Sequence, residues 1–356
     1  MYIKRLTILC LVFALLVSVG CGKEKKRRYQ AQFLTLFDTV TTIVGYSESE
    51  EEFTRLAELI RGELERYHEL YDIYNDYEGV NNIKTINDSA GKAPVEVDEA
   101  VISLLTFAKE QYRATGGKVN VAMGSVLSVW HDYREAGIED PENAELPPPK
   151  LLRQAAEHID INDMIIDTGA STVYLNDPLM RLDVGAVAKG YAVRRLAEYL
   201  NNMGVDSLLI SVGGNVAAIG GKPAGGYDKI TDWNIGVQNP DKESPRSELM
   251  TLAVSDRSVV SSGIYERYYT VGGKYYHHII DPATLMPSTN FTAVTVICPD
   301  SGAADALSTA IFNMSLEEGR GIIESVPDTE ALWILNDGTI EYSDGFKTPV
   351  SVRDGN

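Results

Sequence analysis

Cysteine is scarce, with three residues in 356, at Cys10, Cys21 and Cys298. There is no C-x-x-C pair and no regular spacing, which excludes a disulfide framework and a thiolate metal site, so stability must come from an apolar core. Basic residues are outnumbered, 32 Lys and Arg against 51 Asp and Glu, giving a formal net charge of −19. An acidic surface repels phosphate backbones, which argues against nucleic acid as a partner. Fixed-period repeats and long low-complexity stretches are also missing.

What the chain does have begins at its N-terminus. Lys4 and Arg5 precede an apolar run, Leu6 to Val19, too short to span comfortably as a mature helix. It ends in Ser18-Val19-Gly20-Cys21, a pattern that resembles the lipobox of bacterial lipoproteins, with Ser18 where leucine is usual. An ordinary signal peptide or an uncleaved anchor is the alternative. Residues 1–20 are therefore expected to be a lipoprotein signal, Cys21 the lipidation site and residues 21–32 a basic tether. Residues 33–356 would form one soluble domain held at the extracytoplasmic face of the cell membrane. Cys298 closes an apolar strand pattern and reads as a buried structural thiol.

Along the rest of the chain, helix-period and strand-period segments come in mixed blocks. Phe33–Tyr46 reads as a first strand or hairpin arm, Glu50–Tyr74 and Val97–Thr115 as amphipathic helices, and Val80–Gly91 as turn-rich. Pro147–Pro149 leads to a short helix, Leu151–His158, and then two strands within 165–184. Ala186–Met203 is a third helix. Leu208–Ile219 reads as one buried strand interrupted by a double glycine. Strands are expected at 233–238, 252–262, 268–280 and 292–297, before a final helix, Ala303–Val326, and a strand pair around Asp337-Gly338. This order predicts an α+β fold, with mixed or antiparallel sheets packed against helices.

Four constellations carry residues suited to chemistry. Asp183-Val-Gly-Ala-Val-Ala-Lys189-Gly-Tyr191 places a glycine turn and a lysine at a helix N-terminus, where unpaired N–H groups and the dipole suit a phosphate; a tight strand–helix connection with a solvated lysine would read the same way. Ser211-Val-Gly213-Gly214-Asn215 sets two glycines in an apolar strand, as a bulge or a ligand approach would. Ser261-Ser262-Gly263 precedes a tyrosine-rich run that fits ring stacking or a half-buried sheet face. The stretch Lys274–Ala310 holds His277, His278 and Asp281, and then Asp305 and Thr309 four apart on a helix. A carboxylate and a hydroxyl on one face suit a hard cation such as Mg²⁺, and equally suit dipole complementation. His278 beside Asp281 reads as an imidazole held by a carboxylate, ready as a general base, or as part of a structural histidine pair.

In their order, these pieces resemble the FAD:protein FMN transferases, the ApbE family. The matching runs are Thr115–Gly117, Asp183–Tyr191, Val212–Asn215, Ser261–Gly263, His277–Pro282 and Ala304–Thr309. The resemblance implies an ApbE-like (T-fold-like) core and a Mg²⁺-dependent enzyme that cleaves FAD, releases AMP and attaches FMN through a phosphoester to a Thr or Ser of an acceptor protein. It also implies roles: Asp305, Thr309 and the Ala186 carbonyl as metal ligands; Tyr74, Lys118, Val119, Asn120, Asp183, Lys189 and Ile279 as FAD contacts; and His278 as the base for the acceptor hydroxyl. Three runs depart from the family pattern. Phe37-Asp38-Thr39 stands for Met-Gly-Thr, Val119–Ala122 for Phe-Asp-Pro-Thr, and Asp281–Leu285 for Asp-Pro-x-Thr-Gly. The alternatives are a Mg²⁺-dependent FAD pyrophosphatase and a non-catalytic flavin- or solute-binding lipoprotein.

Overall fold

The computed structural model describes residues 26–34, 36–224 and 229–352; the expected signal sequence and Cys21 lie outside them. Among the described residues no helix is long and apolar enough to cross a membrane. The centre is an eight-stranded antiparallel sheet whose spatial order follows the chain: Arg27–Leu34, Val40–Ser47, Ser207–Val212, Asn215–Gly220, Ser258–Gly263, Ala293–Cys298, Glu330–Ile334 and Ile340–Tyr342. The first strand starts inside the stretch expected as a tether, which shortens that segment.

The sheet is covered on both faces, so its strands carry apolar residues at adjacent positions instead of alternating ones. Ile43, Ile210, Val212 and Val296 belong to the core shared with the helices, whereas Val44, Val259 and Ile297 belong to a second core. That second core lies under a three-stranded sheet formed by Trp233–Gln238, Glu248–Val254 and Val350–Val352. On the helical side the Glu50–Tyr71, Ala188–Asn202 and Ser301–Phe312 helices pack in sequence. Strands and helices occur in mixed blocks, as the α+β expectation required.

Several local readings are corrected, mostly for one physical reason: residues at positive φ break what looked like continuous strands. Gly213 (φ 53°) and Gly214 (φ 87°) make a two-residue hairpin turn, so 208–219 is a pair of strands with Val212 opposite Asn215. Gly272 and Gly273 do the same between Tyr268–Val271 and Lys274–His277. At Asp256 (φ 51°) the chain leaves the small sheet for the large one. The expected final helix is two, Ser301–Phe312 and Leu316–Ser325, because Ser315 starts the second with a capping box to Glu318. The turn-rich 80–91 stretch contains a short helix, Ile83–Asp88, capped by Asn82. Residues 180–184 form no ladder strand: Arg181 makes an isolated bridge with Met123, and buried Asn87 clamps both backbone groups of Leu182.

Candidate active site

One half of the site is the turn entering the Ala188–Asn202 helix. Asp183 is fixed by its own N–H donating to the Val121 carbonyl (2.8 Å), and its carboxylate accepts from the Gly185 N–H (2.8 Å). Burial in the cleft raises the Asp183 carboxyl above its usual range, against the opposing pull of that N–H and of the Lys189, Arg267 and His131 charges. Lys189 sits in the first helical turn as expected, its ammonium donating to the Gly185 carbonyl (3.4 Å). The helix N-terminus is already partly filled by an anion of the protein's own. The Asp305 carboxylate accepts from the Gly190 N–H at 2.8 Å, so one of the N–H groups at this helix end is already taken.

Asp305 comes from the Ser301–Phe312 helix, buried almost all round. Ala304, Ala306 and Ser308 are fully buried, and these small side chains let the helix press against both the sheet and the Ala188–Asn202 helix. A Cβ at Gly190 would lie 2.4 Å from Asp305 Cβ and 2.4 Å from the Ser301 carbonyl oxygen. Glycine is there for proximity, and its absent side chain is what joins Lys189 to Asp305. The Ser261–Gly263 run has a structural part in this: Ser262 bonds Ser308 (2.8 Å), which donates to the Asp305 carbonyl (2.9 Å). Asp305 is 5% exposed, and burial raises its carboxyl above the usual range despite Lys189, the Gly190 N–H and the Asn215 amide.

Gly190→Ala follows as a prediction. In an ordinary helix the change is favourable by up to about 1 kcal/mol, but here the overlap with backbone costs about 1–3 kcal/mol. The expected result is a lower Tm together with weaker divalent-cation binding, read by calorimetry of the apo and Mn²⁺-loaded protein.

The other half is the segment after the Lys274–His277 strand. His277 is structural: its ring donates from Nε2 to the Ser288 carbonyl (2.7 Å), accepts at Nδ1 from the Ile279 N–H (3.2 Å) and meets Phe312 edge-on. His278 lies in the cleft wall. A carbonyl can only accept, so the contact from Nδ1 to the Arg267 carbonyl (3.3 Å) puts the proton on Nδ1 and leaves the Nε2 lone pair open. Its pKa is pushed down to about 3, first by burial, then by the Arg267, His277 and Lys189 charges. The expected His278–Asp281 pair does not form. Asp281 instead meets the Lys118 ammonium at 2.9 Å in a largely buried ion pair and caps the Ala283 N–H; the opposite charge outcompetes a neutral ring.

These halves face a cleft of about 560 Å³. It gathers every residue expected at the site: Tyr74, Lys118, Val119, Asn120, Asp183, Ala186, Lys189, His278, Ile279, Asp305 and Thr309. They contribute in different ways. Asp72 accepts from the Tyr74 and Asn75 N–H groups and the Tyr77 hydroxyl, which turns the Tyr74 ring, 54% exposed, into the cleft beside His131. The Asn120 amide is committed at both ends, to Ala122 N–H and the Ile159 carbonyl (both 2.9 Å), so it locks the loop more than it offers a hand to a ligand. The Val119 N–H is taken by Thr115 Oγ1 (3.1 Å), and both backbone groups of Ile279 are taken by His277 and Ser288.

The cleft also collects residues to which no role was assigned from sequence: His68, Trp130, His131, Arg134, Asn215 and Arg267. None but Asn215 lies in a recognisable local motif. Two departures from the family pattern keep a glycine-like backbone without glycine: Asp38 (φ 53°) and Leu285 (φ 60°) both take the left-handed conformation. His68 Nδ1 accepting the Phe37 N–H (3.3 Å), and Trp130 Nε1–H donating to the Leu285 carbonyl (2.9 Å), hold these strained turns.

Chemically, the cleft offers a flat aromatic ring, cationic Lys189, Arg134 and Arg267, an imidazole lone pair and a patch of hard oxygens. Among the described residues no three His, Cys, Asp or Glu converge. The candidate cation set is instead one carboxylate, Asp305, with the Thr309 hydroxyl, which has no hydrogen-bond partner among the described residues, and the Ala186 carbonyl. An all-oxygen set with a single carboxylate fits Mg²⁺, which keeps positions for phosphate oxygens and water.

Comparison with known proteins identifies the family. Residues 37–333 match the profile of the ApbE family. The FAD:protein FMN transferase of Treponema pallidum is 34% identical over 281 residues, 76% of this chain and 75% of that one. One from Klebsiella pneumoniae is 31% identical over 299 residues, covering 84% and 86%. The crystal structure of the ApbE protein from Thermotoga maritima superposes with a TM-score of 0.75 at 29% identity, over 89% of this chain and 97% of that one.

Proposed function

The chain belongs to the ApbE family and is an enzyme of the flavin-transferase class, and from that premise we propose that it transfers FMN from FAD to a Thr or Ser hydroxyl of an extracytoplasmic acceptor protein, with Mg²⁺ as cofactor. One observation carries the reading: residues 74, 118–120, 183–186, 188, 189, 278, 279, 305 and 309, far apart in the chain, line a single cleft into which His278 presents an unprotonated Nε2.

In this reading the Tyr74 ring stacks on the flavin, Asp183 accepts from a ligand hydroxyl or amine, and Lys189 lies against the pyrophosphate. Mg²⁺ held by Asp305, Thr309 and the Ala186 carbonyl would neutralise charge on the phosphate oxygens. His278 Nε2 takes the proton of the acceptor hydroxyl, whose oxygen attacks the FMN-side phosphorus. The P–O bond to the bridging oxygen breaks, and that oxygen leaves with AMP. Phosphoryl transfer of this kind needs positioning and charge stabilisation more than covalent help from the protein.

Nucleotide analysis of a reaction with FAD and Mg²⁺ tests this. AMP is expected to appear with an acceptor present and without matching free FMN; equal free FMN and AMP would identify a pyrophosphatase with water as the nucleophile. We place the enzyme at the membrane through lipidated Cys21. Cys21→Ser is expected to move it from the membrane fraction to the soluble extracytoplasmic fraction, and unchanged fractionation would remove that anchor.

A further inference from the structure

Asn215 has a polar atom that nothing in the fold uses. It opens the strand that follows the Gly213-Gly214 turn, and the Ser301–Phe312 helix packs against that strand. The residue is 2% exposed and lines the cleft. Its amide is one of the groups that pull the Asp305 carboxyl down against burial, and a carboxylate can only accept, so Nδ2 is the end turned to Asp305. The Oδ1 end is buried with no partner.

A buried acceptor left unsatisfied costs about 1–3 kcal/mol, and proteins rarely keep one without a use. The turn is built to put it there. Both glycines have positive φ, and a Cβ at Gly213 would come within 2.7 Å of Thr39. The unpartnered oxygen therefore belongs to a residue set beside the carboxylate that the cation reading makes central, within the same cleft as the Thr309 hydroxyl.

We propose that Asn215 is a further residue of the divalent-cation site. Its amide nitrogen orients the Asp305 carboxylate, and its amide oxygen supplies a hard acceptor to the shell of the hydrated cation. The inference rests on the cation role given above to Asp305 and Thr309. A neutral amide adds an oxygen without a second negative charge, so the site keeps the net charge needed to admit an anionic pyrophosphate.

The test is Mn²⁺ binding to the whole protein, without turnover, followed by electron paramagnetic resonance, alongside thermal unfolding of the metal-free protein. The parent is expected to bind Mn²⁺ and Asp305→Ala to lose it. Asn215→Ala is expected to bind about 10- to 100-fold more weakly, with little or no fall in the metal-free Tm because the unpaired acceptor has gone. Asn215→Asp is expected to bind at least as tightly as the parent and, without metal, to be less stable, since it sets a second carboxylate on Asp305. Parent-like Mn²⁺ affinity in Asn215→Ala would overturn this inference alone, whatever the Tm. No Mn²⁺ binding by the parent would overturn the cation reading and this inference with it.

Discussion

Asp305→Ala is expected to abolish Mg²⁺-dependent turnover, lowering kcat by about 10³-fold or more. The size follows from the several kcal/mol that a bound cation supplies to phosphoryl chemistry, with each 1.36 kcal/mol worth a factor of ten. The carboxylate is the only charged member of its proposed ligand set. It is nearly buried and held at the Gly190 N–H, and among the described residues no group of three or more His, Cys, Asp or Glu gathers to hold a metal in its place. The fold should survive, because the substitution also removes a carboxyl that burial already destabilises in its charged form. Asp305→Asn separates the two duties. It can still accept from Gly190 but brings no charge, so it should keep the parent's Tm and still lose turnover. Steady-state AMP release across a Mg²⁺ titration checks both variants; parent-like rates in either would remove Asp305 from the catalytic site.

His278→Ala should slow transfer by about 10²- to 10⁴-fold, the range for loss of a general base, while FAD affinity measured by flavin fluorescence stays near that of the parent. The ring is tethered through Nδ1 to the Arg267 carbonyl, so its loss removes a proton acceptor and not a flavin support. The pH dependence has a definite sign. With the folded pKa near 3 against an ordinary 6.5, the native ring binds fewer protons than the unfolded one between those values. Its contribution to stability is therefore complete above pH 6.5 and declines as pH falls toward 3. Two results are expected at saturating Mg²⁺: kcat/KM shows no fall near pH 6.5, and His278→Gln loses less stability than the parent between pH 6.5 and 4. A rate that titrates near pH 6.5 would contradict the lowered pKa of this ring.

Much of the site was legible because its parts are local. Asp305 and Thr309 are four apart on one helix, Lys189 is in a first helical turn and Gly116-Gly117 end a helix, and each signature depends only on near neighbours. What holds the parts together was not legible. The bond from the Gly190 N–H to Asp305 joins residues 115 positions apart, and Gly190 looks like any helical glycine until its neighbour is known. The Lys118–Asp281 pair shows the opposite error, where closeness in sequence suggested His278 as the partner and a distant opposite charge took Asp281 instead. Arg134 and Arg267 carry no motif at all and reach the cleft only through the tertiary fold.

In the fold, the α+β order was readable from mixed helical and extended periods. The hairpin at Gly213-Gly214 was not, because a sheet buried on both faces gives its strands no alternation to mark where one ends. The apparent long strand was two, and the turn between them is what delivers Asn215 to Asp305.

The central claim is that the two halves of this cleft act together to move FMN onto a protein hydroxyl. The most direct measurement is the intact mass of a threonine-containing acceptor domain after incubation with the enzyme, FAD and Mg²⁺. One FMN-sized increment per acceptor, matched by released AMP, is the predicted result, absent with Asp305→Ala and strongly delayed with His278→Ala. An unmodified acceptor in a reaction that has consumed FAD to free FMN and AMP would contradict it.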